Sequence, residues 1–501
     1  MTLLRNLYAT IVIFISNFTA QWGLLVNIVL LTALVVLICV MLVRVLFAGH
    51  TFRRPEPVAP PTPDERLTEH AAQSLSSAIR FATVTGDQSA MEGLVEYLKE
   101  RYADAFAKMN LFALPGGSLL LRWRAADRKT AAAPVMFCGH LDVVPPGEGW
   151  TTEPFSGARE DGLVRGRGAV DCKGPVIAML EAVTSLMEEG YAPRRDLYFA
   201  FGHDEETGGA EGAAVLAELL QKRGVYFDMI LDEGGTIRKS HLGKRRHPAA
   251  LIGVAEKAVC VYKLTARVPA AQLGEPPRHT AVGALAEAVC RIEAALPRVR
   301  LLDPVKKTLR ASMPAMGFWR RLVVANLPLT KPLLGLCFRS HAQTMALLRT
   351  TLSATQMSGS DSELQLPATA EATVTGCLLQ GDTAQSVLRH LRDLLADLPV
   401  EVELGDVHSD PSHISSDKSP YYEALCNAVH ERFATLPCIP TILTGSTDAR
   451  YYESLSGTVI RFTPILTSDQ AYDAVHGPDE YVRETSLGAA VEIYRSFMKK
   501  L

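Results

Sequence analysis

The stretch MFCGHLDVVPPGEGW, Met136 to Trp150, decides how the fold is read. An apolar run ends at Gly139, His140 and Asp142 follow with one residue between them, and Pro145, Pro146 and Gly147 break the chain. A short run that is apolar at every position, rather than at alternate ones, suits a strand covered on both faces, as in a parallel sheet. Two metal-competent side chains then stand at the mouth of a buried strand.

The same pattern recurs on either side. SLLLRWR (118–124), DLYFAFGHD (196–204) and DMILDEGG (228–235) read as strands, with helices PVIAMLEAVTSLMEEG (175–190) and GAAVLAELLQKRG (212–224) between the later ones. Strands alternating with helices predict a largely parallel α/β sheet covered by helices. Beyond about Gly253 the pattern changes. KAVCVYKLTARV (257–268), ATAEATVTGCLL (368–379) and VEVELG (400–405) read as strands, and HTAVGALAEAVCRIEAAL (279–296) and TAQSVLRHLRDLLADL (383–398) as helices, which makes a separate α+β unit. Within it, from about Pro297 to Ala354, lies an apolar and basic insertion that includes RRLVVANLPLTKPLLGLCF. It reads as a helical elaboration of the core, with a membrane-touching or acyl-chain-binding surface as the functional alternative. The α/β pattern returns with CIPTILTG and TVIRFTP as strands and a closing helix ETSLGAAVEIYRSFMKKL. The expected organisation is a catalytic α/β domain in two segments, 67–253 and 409–501, with an inserted lid or dimerisation domain at 254–408.

The N-terminus follows other rules. Trp22 to Phe47 is apolar apart from Asn27 and Arg44, which is enough helix for a bilayer core of about 20 residues. Residues 1–52 are expected to be a retained single-pass anchor, with a cleaved signal as the alternative and RNLYATIVIFISNF as a poorer second membrane element. Arg5 precedes the span, and Arg44, Arg53 and Arg54 lie at or beyond its end, so charge does not set its orientation. The catalytic domain is placed on the extracytoplasmic side as an expectation. RRPEPVAPPTPDE, within 53–66, reads as a stiff linker. A net charge of -3 gives no case for a nucleic-acid partner, and GKRRH at 243–247 reads as a solvated loop. The nine cysteines form no CxxC pair, which excludes a zinc ribbon and argues against a disulfide framework, although one bridge between Cys426 and Cys438 stays open.

Four acidic or imidazole clusters are expected at strand ends, where ligands collect in open α/β sheets. They are His140 and Asp142; Asp171 in GRGAVDCKG; Asp204, Glu205 and Glu206 in GHDEETGG; and Asp232 and Glu233 in LDEGG. Far downstream, AYDAVHGPDE adds His476. Imidazole with carboxylate suits zinc or a similar transition metal. The set holds enough ligands for two metals with one shared carboxylate, and leaves one carboxylate free as a base. Each cluster alone would be ordinary loop chemistry. Together, all following apolar runs in Gly-rich turns, they make a metal site.

The motifs GHLDVVP, W…EPFSG, GRGAVDCKG, DEETGG, LDEGG, TGSTDARYY and VHGPDE resemble those of the co-catalytic zinc metallopeptidases, which include aminoacylase-1 and carboxypeptidases G and S. The resemblance runs from about residue 70 to the end and fits the branch of carboxypeptidase S and the N-acyl-amino-acid synthase/hydrolase. It implies a zinc-peptidase α/β fold with an inserted α+β domain. It implies two zinc ions per chain, with cobalt or manganese as substitutes, and a small-molecule or short-peptide substrate. His140 would bind one metal with Asp142 orienting it, Asp171 would bridge, Glu205 would be the base, and Glu206 and His476 would hold the second metal. Either Asp232 or Glu233 would complete the first, with Asp232 favoured. His279 in PPRHTAVG would stabilise the oxyanion, often across a homodimer interface, and Arg450 in STDARYY would meet the substrate carboxylate.

One departure stands out. The inserted domain of the family carries an Asn and an Arg that hold the substrate; anchoring on Pro367 puts Leu364 and Cys377 in their places, on an expected strand. A charge-assisted contact of about 1.5–3 kcal/mol is thereby lost. The metal chemistry reads as intact and the recognition chemistry as altered. The main expectation is a membrane-anchored dizinc hydrolase of N-acyl amino acids or short peptides, able also to form the amide. The alternative is a membrane-tethered binding or scaffold protein, impaired in catalysis.

Overall fold

The computed structural model describes residues 2–51, 62–127, 132–239, 248–295 and 297–501. The GKRRH loop and residues 53–61 of the Pro-rich linker lie outside the described residues.

The central sheet has eight strands. Their order in space is Asn110–Ala113, Leu119–Trp123, Arg195–Gly202, Ala132–His140, Met229–Lys239, Val459–Leu466, Pro248–Glu256 and Cys438–Leu443. The four middle strands, from 195–202 to 459–466, are parallel. The first two strands and Pro248–Glu256 run antiparallel to their inner neighbours. The fold is thus α/β with a mixed, mainly parallel sheet. Asn110–Ala113 and Pro248–Glu256 were not anticipated, because the first is short and the second adjoins a Gly-containing run that reads equally as the start of the inserted unit.

Side chains of the middle strands alternate between two cores, as the two-residue period of a strand requires. Val135, Phe137, Leu197 and Phe199 face helices Glu65–Ile79, Lys173–Glu188 and Glu484–Lys500. Met136, Cys138, Tyr198 and Ala200 face helix Ala213–Lys222. Phe137 stacks on Phe199 at 5.3 Å and meets Phe497 edge-on at 6.0 Å. Burying one such side chain contributes roughly 1.5–3 kcal/mol, which is why a run without polar residues is favoured between two covering layers.

At Lys257 the chain steps from the central sheet to a second one, of four antiparallel strands in the order Thr351–Ser358, Thr369–Leu378, Ala258–Arg267, Val400–His408. Helices Ala281–Ala294 and Ala384–Leu394 pack on it. Thr280 caps the first by accepting from the Gly283 N–H, and Thr383 forms a capping box on the second.

The apolar insertion is helical, in short pieces from Asp303–Ala311 to Ala342–Leu348, with a core of its own. Helix Asp303–Ala311 lies against Cys438–Leu443, the outer strand of the central sheet, and Thr308 Oγ1 donates to Pro440 O at 3.0 Å. This covers an edge that would otherwise offer unpaired backbone groups.

The N-terminus forms one continuous helix, Thr2–Thr51, within which Leu24–Phe47 is long and apolar enough to cross a bilayer. The same length and composition would serve a signal sequence. All nine cysteines are free, Cys426 and Cys438 among them, and Cys438 Sγ lies 3.8 Å from His430 Nε2.

Candidate metal centre

A three-stranded ribbon brings the most distant parts of the site together. Tyr481–Arg483 pairs antiparallel with Leu163–Arg165, which pairs with Arg159–Glu160. VHGPDE is thereby laid beside GRGAVDCKG. Glu480, fully buried, accepts from the backbone N–H of Gly168 at 3.1 Å, Val170 at 2.7 Å and Asp171 at 3.2 Å, and from Arg167 Nη1 at 2.8 Å. Asp171 therefore sits in a loop entering helix Lys173–Glu188, not at the end of a central strand as its motif suggested. His476 adopts φ 62°, an uncommon conformation for a residue other than Gly.

Asp171 stands between two groups of potential ligands. Its Oδ1 is 3.0 Å from His140 Nε2, and its Oδ2 is 3.1 Å from His476 Nε2. On the first side Glu233 Oε1 lies 3.4 Å from His140 Nε2, and Cys172 belongs to the same buried group. On the second side Glu206 Oε2 lies 3.2 Å from His476 Nε2. One carboxylate thus serves two clusters, His140–Asp171–Glu233 and Asp171–Glu206–His476.

Asp142 ties these parts together. His140 Nδ1 lies 3.0 Å from its backbone oxygen and 3.3 Å from Oδ1. The same carboxylate accepts from Thr85 Oγ1 at 2.7 Å and from the backbone N–H of Glu205 and Glu206, both at 3.2 Å. One side chain so orients the imidazole and fixes the DEETGG turn. Asp204 instead caps the following segment, accepting from Glu211 N and Gly212 N at 2.7 and 2.8 Å.

Of the two carboxylates expected as alternatives in LDEGG, Glu233 and not Asp232 is grouped with His140 and Asp171. Asp232 is buried and belongs to neither cluster, its Oδ1 accepting from the Glu233 N–H at 2.9 Å. Glu233, one residue on, takes the opposite side of the strand and joins His140. Beneath the site Asp232 neighbours Asp448, a buried carboxyl that the sequence reading passed over although it lies in the quoted motif TGSTDARYY. Arg450 donates to Gly208 O at 2.6 Å and to Ser446 Oγ at 2.9 Å, at the rim of the DEETGG turn. His279 joins neither cluster; it lies just ahead of helix Ala281–Ala294, near Asp397. Leu364 lies in an exposed turn rather than on a strand, which begins only at Thr369, while Cys377 is on that strand.

The electrostatics are those of a cation site. Burial alone would raise the Asp171 carboxyl, yet two imidazoles hold it well below the carboxylate range. Hydrogen bonds to Asp171 and Glu206 push His476 up to about 10. Burial pushes Glu233 up to about 7 and Glu205 well above its ordinary value. Protons offset the crowded carboxylates here, and a bound cation would replace them. Glu206 Oε1 is buried with no hydrogen-bond partner, an orphan acceptor at the second cluster. Two imidazoles and three carboxylates, one of them shared, fit zinc or a similar divalent metal.

Two such clusters beside a mainly parallel sheet suit a hydrolase that works with paired metal ions. Residues 136–500 match the model of peptidase family M20/M25/M40, and the chain belongs to that family. It is 31% identical, over 93% of its length and 92% of the other's, to the N-fatty-acyl-amino acid synthase/hydrolase PM20D1 of Xenopus tropicalis. It is 30% identical to a probable carboxypeptidase S-like protein of Dictyostelium discoideum, over 85% and 84% of the two chains. The fold is shared with an M20 family metallo-carboxypeptidase from Sulfolobus solfataricus, at a TM-score of 0.66 and 17% identity over 87% of this chain and 99% of that one. The protein is a hydrolase of this family.

Proposed function

We propose that the protein is a membrane-anchored dizinc amidohydrolase that cleaves, and in reverse forms, the amide bond of N-acyl amino acids, short peptides being the other substrate class. The observation that carries this reading is Asp171, whose two oxygens face His140 and His476 separately. The likeness to N-fatty-acyl-amino acid synthase/hydrolase supports an N-acyl amino acid as substrate, and the apolar span Leu24–Phe47 supports the anchor.

His140, Asp171 and Glu233 would hold one ion, and Asp171, Glu206 and His476 the other. When bound, such a metal pair supplies Lewis-acid polarisation of the amide carbonyl and acidifies water. Glu205, half-buried beside both clusters, takes the proton of the attacking water and returns it to the leaving amine. Burial and the neighbouring carboxylates raise its pKa in the metal-free protein, and two bound cations would bring it down so that the carboxylate is free to accept a proton. Asp142 keeps the Glu205 backbone and the His140 ring in register. Arg450 faces the substrate carboxylate, and His279, outside the clusters of its own chain, reaches the oxyanion from a second copy across the inserted domain.

Metal content of the purified protein, paired with Glu205→Gln in the hydrolysis of N-oleoyl-Phe and N-acetyl-Phe, tests this. Two metal equivalents, kept in the variant, with turnover reduced by about 10²–10⁴ is the expected result. No bound metal would return the binding or scaffold reading, and a preference for N-acetyl-Phe would remove the fatty acyl chain from the substrate.

A further inference from the structure

The helical insertion touches the N-terminal helix. Asn326 is buried, and its Nδ2 donates to Met41 O at 3.2 Å. Helix Phe318–Ala325 and the turn Met313–Ala315 pack against the same helix, and Val45, one turn beyond Met41, is buried. Met41 lies inside the apolar span Leu24–Phe47, six residues before its end. At 1.5 Å per residue the contact is about 9 Å within the span, not beyond it. Whatever medium surrounds this end of the span also surrounds the insertion.

The surface of the insertion suits that medium. Phe318–Ala325 and Leu327–Phe338 form a pair bent by 97°, too short to be two crossings. Beside the N-terminal helix this pair exposes Phe318, Trp319, Leu329, Leu333 and Leu336, with Trp319 at 74% and Leu336 at 65%. Charge follows the same plan. From Pro304 to Thr350 there is no Asp or Glu, and eight Lys or Arg. Arg310, Lys331 and Arg339 are exposed. Exposed Trp, Phe and Leu with basic residues and no acid are the composition of a helix lying in a lipid interface, where cations meet anionic headgroups.

We infer that the bent pair 318–338 is a monotopic seat, its exposed apolar side chains dipping into the same bilayer leaflet that the N-terminal helix enters. The inference rests on the anchor reading given above. The insertion is also packed on the outer strand Cys438–Leu443 of the central sheet. Seat and anchor together therefore hold the catalytic sheet at one height over the membrane, where amphiphilic substrates partition.

The test uses the full chain in vesicles of phosphatidylcholine and phosphatidylglycerol, with and without bromine on the acyl chains. Trp319→Phe keeps an aromatic ring at an exposed position, so the difference between wild type and variant isolates the emission of Trp319. That difference is expected to be blue-shifted, lost in brominated vesicles and insensitive to aqueous acrylamide. Quenching by acrylamide but not by bromolipid would put Trp319 in water and overturn the seat. Protection from both would mean that protein, such as a second copy, covers the patch, and would overturn it equally. Alkaline carbonate extraction separates the two readings. A chain released by carbonate has lost the anchor reading, whereas a chain retained with Trp319 in water has lost only the seat.

Discussion

Glu480 and Arg167 form an ion pair of 2.8 Å in which both side chains are all but excluded from solvent. They are 313 residues apart, and the pair closes the loop that presents Asp171. Removing one partner of a buried pair leaves an uncompensated charge, at a cost of about 3–5 kcal/mol. Glu480→Ala is expected to lower the stability of the fold by that order in urea titration. The double variant Arg167→Met/Glu480→Leu should recover part of the loss. Single variants within experimental error of wild type would show that the pair is dispensable.

Glu233 and Asp232 make opposite predictions for metal binding. Glu233→Gln removes an oxygen from the His140 cluster and is expected to release one of two metal equivalents. Asp232→Asn alters a carboxyl that burial already pushes up and that belongs to neither cluster, so both equivalents should stay. Metal analysis after equilibrium dialysis decides, and the reverse pattern would restore Asp232 as the ligand.

Stability of the metal-free protein should fall as pH rises. His476 goes from 6.5 to about 10 on folding and Glu233 from 4.5 to about 7. In both windows the fold holds more protons than the unfolded chain, and the slope of stability against pH is therefore negative. His476 is half exposed, and solvent screening keeps its share small. The Tm of the metal-free protein is expected to decline between pH 5 and pH 7, the window of Glu233, because above it buried Lys173, lowered to about 7, contributes a slope of the opposite sign. Zinc binding should release protons, read as a dependence of the binding heat on buffer ionisation. A flat or rising Tm without metal would contradict this account.

Lys257 sits where the chain steps between sheets, fully buried, with Nζ donating to Ala346 O, Arg349 O and Thr351 Oγ1. It fastens the end of the helical insertion to the step. Burial lowers it from 10.5 to about 8. Between those values the unfolded chain binds more protons at this site, so Lys257 contributes stability that rises with pH there. Lys257→Met should lose that rise and leave two carbonyls unpaired, at about 1–3 kcal/mol each. Equal pH slopes for the two proteins would sink the assignment.

Much of this was legible in the chain. The run before His140 reads as a doubly covered strand because no polar residue interrupts it, and the motifs GHLDVVP, GRGAVDCKG and DEETGG carry the metal-competent side chains in local order. Less was legible where neighbours in sequence part in space. Asp232 and Glu233 differ by one position, and only the pleat of the strand decides which of them meets His140. Pro367 anchors Leu364 by alignment, yet the turn there leaves Leu364 in solvent, so its chemistry cannot be read from the position it matches.

By itself the sequence determined the types of residue available for chemistry, the alternation of apolar runs and helices that makes a mainly parallel sheet, and a span apolar enough for a bilayer. These are local properties, set by periodicity and by the cost of burying polar groups. Only the tertiary structure decided that Asp171 faces two imidazoles 336 positions apart, that Glu480 holds its loop, and that the insertion meets the N-terminal helix at Met41. Such contacts depend on ribbon register, on which face of a strand is covered, and on how separate segments pack, and no stretch of neighbouring residues encodes them.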